Sequence, residues 1–271
     1  PSRSAHSIHI MRMCSALSAN GQNVTLVVPG DANDLPSELE MLALYGIETP
    51  FEIDFRKLSK CRGRSTRFLL HALKRFRQEG GGLVYTRDVA AAFWAVTLNL
   101  ATVLETHSIF NSTKDKLMFQ GVHRRGKLKT HVVISKRLRD MFDAKYPQSS
   151  WKRLVAHDGA DRIVPVTDVR SEINLDGDFK VGYVGHLYAG RGLELIADLA
   201  GRLPSVVFYV VGGTDEDIAI WKKKVRNQKN ICMMGYLKYS LAERVRVACD
   251  VLIAPYERGL QVFGGGTDTS D

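Results

Sequence analysis

One stretch of the 271-residue chain constrains the fold more than any other: FKVGYVGHLYAGRGLELIADLAGRLPSVVFYVVGG, residues 179–213. A short apolar run closes on Gly182-Tyr183-Val184-Gly185 and reads as a buried strand. The loop His186 to Gly192 follows, then an apolar-periodic helix from Leu193 to about Leu203. Pro204 turns the chain into a second strand, Val206 to Val211, which stops at Gly212-Gly213. Strand, glycine-bearing loop, helix and strand form a right-handed βαβ unit. In such units ligands sit where the carboxyl ends of the strands meet the helix N-termini. Unpaired N–H groups and the helix dipole make that N-terminus an anion site. Here it carries Arg191 between Gly190 and Gly192, which reads as a phosphate seat. The loop is neither G-x-G-x-x-G nor a P-loop, so an ordinary tight turn remains the alternative on spacing alone.

Length allows two domains with separate cores, and the 45% hydrophobic and 25% charged residues are those of a globular protein. The four cysteines, Cys14, Cys61, Cys232 and Cys249, are scattered with no C-x-x-C, as expected of reduced thiols in a cytoplasmic protein. The net charge of +9 is lopsided. Through Ile163 there are 25 Lys and Arg against 15 Asp and Glu, whereas the remainder carries 13 against 14. An anionic partner is therefore expected on the first half. The densest cations lie from Arg56 to Arg77, with Phe68, Leu69, Leu70, Ala72, Leu73 and Phe76 interleaved at helical spacing. Two readings are open: a basic amphipathic helix on an anionic membrane surface, or a helix packed on a sheet with a solvated basic face. No recognition motif supports nucleic acid.

The chain in order alternates helices and strands. Ser4–Ser18 reads as a helix stopped at Asn20-Gly21, Val24–Val28 as a strand, Pro36–Tyr45 as a helix and Ile47–Ile53 as a short strand region. The basic helix runs to Gly80-Gly81-Gly82. Leu83–Tyr85, Thr102–Glu105, His131–Ser135 and Leu154–His157 read as strands. Between them lie helices over Val89–Leu98, Lys114–Lys127 and Lys136–Lys145, the last capped by Ser135. A polar, proline-interrupted segment gives the domain limits: 1–163, a linker over 164–178, and 179–271. In the second domain a helix continues over Trp221–Asn227, a strand over Ile231–Met234 leads to Gly235-Tyr236-Leu237, a helix covers Leu241–Ala248, and a strand covers Asp250–Ala254. This alternation is that of parallel sheets with helices on both faces: two tandem Rossmann-like, doubly wound α/β domains. A helix followed by a parallel-type strand implies an earlier strand, so the chain is expected to start just after the first strand of the sheet.

Nine segments in order (SAHSIHIMRMCSALSANGQNVTLVVPG, VYTRD, VLETHS, VVISKRL, AHDGAD, VGYVGHLYAGRGLELI, FYVVGG, MMGYL and DVLIAPY) resemble glycosyltransferase family 4, retaining enzymes of the two-domain GT-B fold. The resemblance covers nearly the whole chain. It implies transfer of a sugar, of hexosyltransferase type, from a nucleotide diphosphate sugar to a glycan or lipid-linked acceptor, with retention and with neither metal nor cofactor. It places the donor in the second domain, facing the first. Arg191 matches the family's lysine-glycine position, where a cation takes up charge on the leaving diphosphate. His186 stands where many members carry an arginine. Gly190, Gly192 and Gly213 belong with the donor loops, and Tyr236 and Leu237 match the segment that reads the nucleotide base. His107 matches a histidine that faces the sugar from the first domain, and Glu105 is read as buried or as holding that histidine's orientation. Asp158 is read at the interdomain cleft or as a plain Asp-Gly turn. His6, His9, His71, His123 and His131 are read as structural or surface. The family's first glycine-rich loop would precede Pro1 and its acidic donor motif would follow Asp271, so the resemblance implies a fragment with little activity of its own. Polysaccharide or glycolipid synthesis at the cytoplasmic membrane face, with peripheral attachment, is the expected setting. The alternatives are a non-catalytic module binding anionic membrane and a nucleotide-sugar epimerase of the same fold.

Overall fold

The computed structural model describes residues 5–30, 40, 44–47, 49–57, 63–125, 127–147, 151–159 and 175–257. The expected linker up to residue 174, the tail from 258, Cys61 and most of the helix expected over Pro36–Tyr45 lie outside these residues.

The first half opens with α1 (Ala5–Ala19), β1 (Thr25–Pro29) and β2 (Glu52–Arg56), the two strands pairing in parallel. Then come α2 (Arg64–Gln78), β3 (Leu83–Thr86), α3 (Val89–Thr97), β4 (Ala101–Thr106), α4 (Thr113–Arg125), β5 (Leu128–Val133), α5 (Lys136–Lys145) and β6 (Lys152–Val155). β3 to β6 form a parallel sheet in chain order. The second half holds β7 (Phe179–Val184), α6 (Leu193–Arg202), β8 (Val206–Val211), α7 (Asp215–Lys224), β9 (Ile231–Gly235), α8 (Tyr239–Ala248) and β10 (Val251–Leu252). Its sheet runs β10-β7-β8-β9, all parallel. The chain therefore leaves β7 on one side and returns to it on the other, so the carboxyl end of β7 is a topological switch point.

Several boundaries differ from the sequence expectation, among them the last strand, which covers only Val251–Leu252 of the expected Asp250–Ala254. β2 begins at Glu52, five residues later than expected, beyond Pro50, which has no N–H for a ladder. β5 begins at Leu128, inside the stretch expected to adjoin a longer α4. β6 begins two residues early and ends at Val155. α7 begins at Asp215 because Thr214 and Asp217 form a reciprocal capping box, a signal that outweighs the weak apolar periodicity there. Ser135 caps α5 as expected, accepting from the Leu138 N–H at 3.1 Å.

Strand alternation feeds both faces of each sheet. On β8, Phe208 and Val210 pack with Leu193, Ile196 and Trp221, while Tyr209 and Val211 pack with Val245. In the first half, Leu104 of β4 and Val133 of β5 join Phe119, Val122 and Phe142 in one core. Within that core lies His131, fully buried, with ring centroids 4.7 Å from Phe142, 5.3 Å from Phe119 and 5.6 Å from Trp151. Arg153 Nε donates to its Nδ1 at 3.1 Å and Thr106 Oγ1 lies 2.9 Å from its Nε2. The ring is thus the neutral Nε2–H tautomer. Burial, and then the Arg153 charge, push its pKa down from 6.5 to about 3.

The second half is held to the first by at least one defined contact. The Arg12 guanidinium of α1 lies 3.8 Å from the Tyr239 ring centroid at the start of α8.

Two predictions follow from this packing. Below pH 6.5 the unfolded chain protonates residue 131 and the folded chain does not, so stability falls as pH falls, by up to about 1.4 kcal/mol per unit. His131→Gln removes this dependence: urea midpoints between about pH 5 and 6.5 should fall less steeply with acid than in the parent, and equal slopes would contradict the assignment. At Gly192, φ is +78° and an added Cβ would stand 1.9 Å from the Pro255 carbonyl oxygen. At Gly21, φ is +79° with nothing within 4 Å. Gly192→Ala is expected to cost about 3 kcal/mol against about 1 kcal/mol for Gly21→Ala. Equal shifts in urea midpoint would refute the close approach.

Candidate functional site

The carboxyl ends of β3, β4 and β6 deliver polar side chains to one place. Glu105, the penultimate residue of β4, is only 2% exposed. Its carboxylate accepts from the Tyr85 hydroxyl and from His107 Nε2, the latter at 2.5 Å. Arg87 Nε lies 3.6 Å from it and His9 Nε2 3.8 Å. Asp158, in the exposed loop after β6, places Oδ1 3.5 Å from His9 Nε2 and 3.9 Å from His107 Nε2. The two imidazoles meet edge-on, with centroids 5.3 Å apart.

Burial works against the Glu105 charge, but the His107 and Tyr85 hydrogen bonds and the neighbouring histidines outweigh it and hold the carboxyl below its usual range. Burial, and then the bond to Glu105, raise the Tyr85 phenol, so it stays a donor. Burial lowers His9, against the attraction of Glu105 and with the repulsion of Arg87; His6 is lowered by burial and then Arg87. An Nε2 facing an ionised carboxylate carries the proton. His107 therefore keeps Nδ1 as its basic nitrogen, the arrangement of a carboxylate-oriented general base.

Spacing offers no metal-ligand cluster in the sequence. Among the described residues the fold nevertheless assembles one set of four donors, His9, Glu105, His107 and Asp158, all within 4.8 Å of one another. It draws on three separate stretches of chain, which is why spacing misses it. His9, read from the sequence as structural or surface, is one of the four, and Arg87 beside them is a residue the sequence reading does not assign. The available signals are the i, i+3 pair His6 and His9 on one face of α1 and the position of Arg87 just past a strand.

In the second half, Arg191 lies in the switch-point loop after β7, with its guanidinium 4.6 Å from the Tyr188 centroid and 4.6 Å from the Tyr256 centroid. It also donates to the Tyr188 hydroxyl. The cation is thus held between two tyrosines rather than reaching out alone. Gly190 accepts from the Glu257 N–H at 3.0 Å, which fastens this loop to the segment after β10. Gly192 is the N-cap of α6 and supplies no side chain; the first i to i−4 bond of the helix is from Ile196 to its carbonyl. The first-turn N–H groups of α6 therefore have no side-chain cap, whereas those of α7 are served by Thr214. The His186 carbonyl accepts from Tyr183 at 2.6 Å and its ring lies 5.5 Å from Tyr188, at the same loop. At Gly213, with φ +82°, an added Cβ would stand 2.6 Å from the Leu187 side chain. Tyr236 is 41% exposed just past β9, while Leu237 packs with Tyr209 and Val211 in the core.

The basic helix α2 uses its apolar side internally: Leu73 and Phe76 pack on Ala95, Leu98 and Leu100. Arg64, Arg67, His71, Lys74 and Arg77 stand exposed on the other side. Leu73 and Phe76 are thus covered by the protein itself and the basic side is exposed, the arrangement of the packed-helix reading. No helix among the described residues is long and apolar enough to cross a membrane.

No protein-family model matches the chain, and no curated protein sequence does. Solved structures do. HepE of Anabaena, in complex with UDP, aligns with a TM-score of 0.65 at 13% identity over 94% of this chain and 72% of that one. A glycosyltransferase from Rickettsia africae gives 0.67 at 14% identity, over 92% and 69%. UDP-GlcNAc 2-epimerase from Neisseria meningitidis, bound to UDP-GlcNAc, gives 0.61 at 11% identity, over 91% and 74%. At these identities the likeness is of fold, and the fold is GT-B, two Rossmann-like domains in tandem.

Proposed function

We propose that the chain binds a nucleoside diphosphate sugar at the β7–α6 loop and serves transfer of the sugar, with retention, to a glycan or lipid-linked acceptor. One observation carries this reading: Arg191 and the side-chain-free N-terminus of α6 stand together at the topological switch point of the second sheet. Helix dipole and guanidinium supply positive potential where a diphosphate leaves. Among the described residues, the donors that suit a metal lie in the first half instead, and the reading assigns the metal no part in taking up that charge. Gly213 and Tyr236, past the neighbouring strands, border the same edge and are assigned to the donor. His107, oriented by Glu105, is assigned to the sugar side, with Asp158 at the cleft. HepE and the epimerase, both solved with UDP or a UDP-sugar, favour uridine as the base. The exposed cations of α2 suit electrostatic adsorption to anionic lipid at the membrane face, bringing a lipid-linked acceptor near.

A second reading has its own observation. Epimerisation needs groups that remove and return a proton at a sugar carbon, and the His9, Glu105, His107 and Asp158 cluster supplies such groups. Incubation with UDP-GlcNAc in D2O separates the two: deuterium entering the sugar ring marks epimerisation, and its absence favours transfer.

Calorimetric titration with UDP and UDP-sugars tests the donor seat. Loss of one charge-assisted contact is worth about 1.5–3 kcal/mol, so Arg191→Ala should weaken UDP binding about 10- to 100-fold, with Arg191→Lys in between. Unchanged affinity in Arg191→Ala, or no binding by the parent chain, would overturn the reading.

A further inference from the structure

We infer that His9, Glu105, His107 and Asp158 form a binding site for one transition-metal ion of the Zn2+ class. The inference does not rest on the diphosphate seat, since none of these residues belongs to the β7–α6 loop, although it gives His107 and Asp158 a second use beside the sugar-side assignment. The donor set is two imidazoles and two carboxylates, a combination that suits Zn2+ or Co2+ better than Mg2+ or Ca2+, which take oxygen ligands. Bonds of about 2.0–2.1 Å in a tetrahedron put neighbouring donor atoms about 3.3 Å apart. The separations here are 3.5 Å from His9 Nε2 to Asp158 Oδ1, 3.8 Å to Glu105 Oε1, and 3.9 Å from His107 Nε2 to Asp158 Oδ1. Three of the six edges of the tetrahedron are therefore open by about 0.2–0.6 Å. Another, His107 Nε2 to Glu105 Oε1 at 2.5 Å, is closed by the proton the two groups share, and a metal would take that proton's place.

The elements support a fixed site. Glu105 lies in a strand bonded on both sides, and the side chains of His9 and His107 are only 21% and 18% exposed. Asp158, on the exposed side, leaves a path of entry. The ion would tie α1 to the ends of β4 and β6. Its binding is an exchange without redox change. Each neutral imidazole gives up its Nε2 proton and takes one at Nδ1, so no net proton is released, and four metal–ligand bonds replace the His107–Glu105 hydrogen bond and bound water on the ion.

Arg87 opposes this exchange. Its Nη1 donates to His9 Nδ1 at 3.2 Å, which requires the Nε2–H tautomer that cannot ligate, and its charge lies beside Glu105. The site is thus held in a metal-free arrangement by a guanidinium that the metal must displace. Removing Arg87 is expected to tighten metal binding, an effect a surface histidine would not show.

The test is titration of the untagged full chain with Co2+, followed by visible absorption, with Zn2+ as competitor. One equivalent is expected, with the strong bands of four-coordinate Co2+, bleached by one equivalent of Zn2+. Asp158→Asn and His9→Gln should each weaken binding at least 10-fold, while Arg87→Met should strengthen it several-fold and His71→Ala, on the exposed face of α2, should leave it unchanged. Circular dichroism of each variant guards against loss of fold. Binding that survives Asp158→Asn and His9→Gln, or that is absent in the parent, would overturn the inference. UDP affinity, measured on the same samples, reads the donor seat separately.

Discussion

Every strand pair among the described residues is parallel, and that constraint organises the molecule. Parallel neighbours cannot be joined by a hairpin, so each strand is followed by a crossover, and all the strand-to-helix loops gather on one edge of each sheet. The polar residues that matter lie on those edges. Tyr85 and Glu105 lie near the carboxyl ends of β3 and β4, Arg87, His107 and Asp158 follow β3, β4 and β6, and the Arg191 loop follows β7. Because β10 returns to the far side of β7, that loop alone in the second sheet has a strand departing on each side.

The two edges differ in charge. In the first half a nearly buried carboxylate, Glu105, collects Tyr85, His107, His9 and Arg87 around itself. In the second, a cation is stacked between Tyr188 and Tyr256 beside an uncapped helix N-terminus. α1 links them: His9 enters the carboxylate cluster and Arg12, one turn on, rests on Tyr239 of α8. A nucleoside diphosphate sugar has the matching polarity, with its phosphates suited to the cationic edge and its hydroxyls to the hydrogen-bonding one.

Much of the fold is legible in the sequence because two signals coincide in it. Apolar runs such as Val206–Val211 are too short for anything but buried strands, and breakers such as Gly80–Gly82 and Pro204 separate them from periodic helices. Boundaries fail where a local hydrogen bond, not periodicity, decides: the Thr214 capping box starts α7 six residues before the apolar pattern shows it. The loop around Arg191 is legible from its glycines, but the stacking by Tyr256 is not, since that residue arrives from 65 positions further along the chain. His107 and Glu105 can be read as a pair because alternate residues near a strand end lie close together. His9 and Arg87 cannot, because only the packing of α1 against the strand ends brings them to Glu105. The basic stretch from Arg56 shows the remaining ambiguity: periodicity gives an apolar face but not what covers it, and here Ala95, Leu98 and Leu100 do.

The proposed seat of the nucleoside diphosphate is the switch-point loop of the second sheet. The most direct measurement is an amide-resolved NMR titration of the chain with UDP. The largest shifts are expected on Gly190, Arg191, Gly192 and Leu193, with smaller ones at Gly213 and Tyr236. Shifts confined to α2 or to the strand ends around Glu105, with the 190–193 amides unmoved, would contradict that seat.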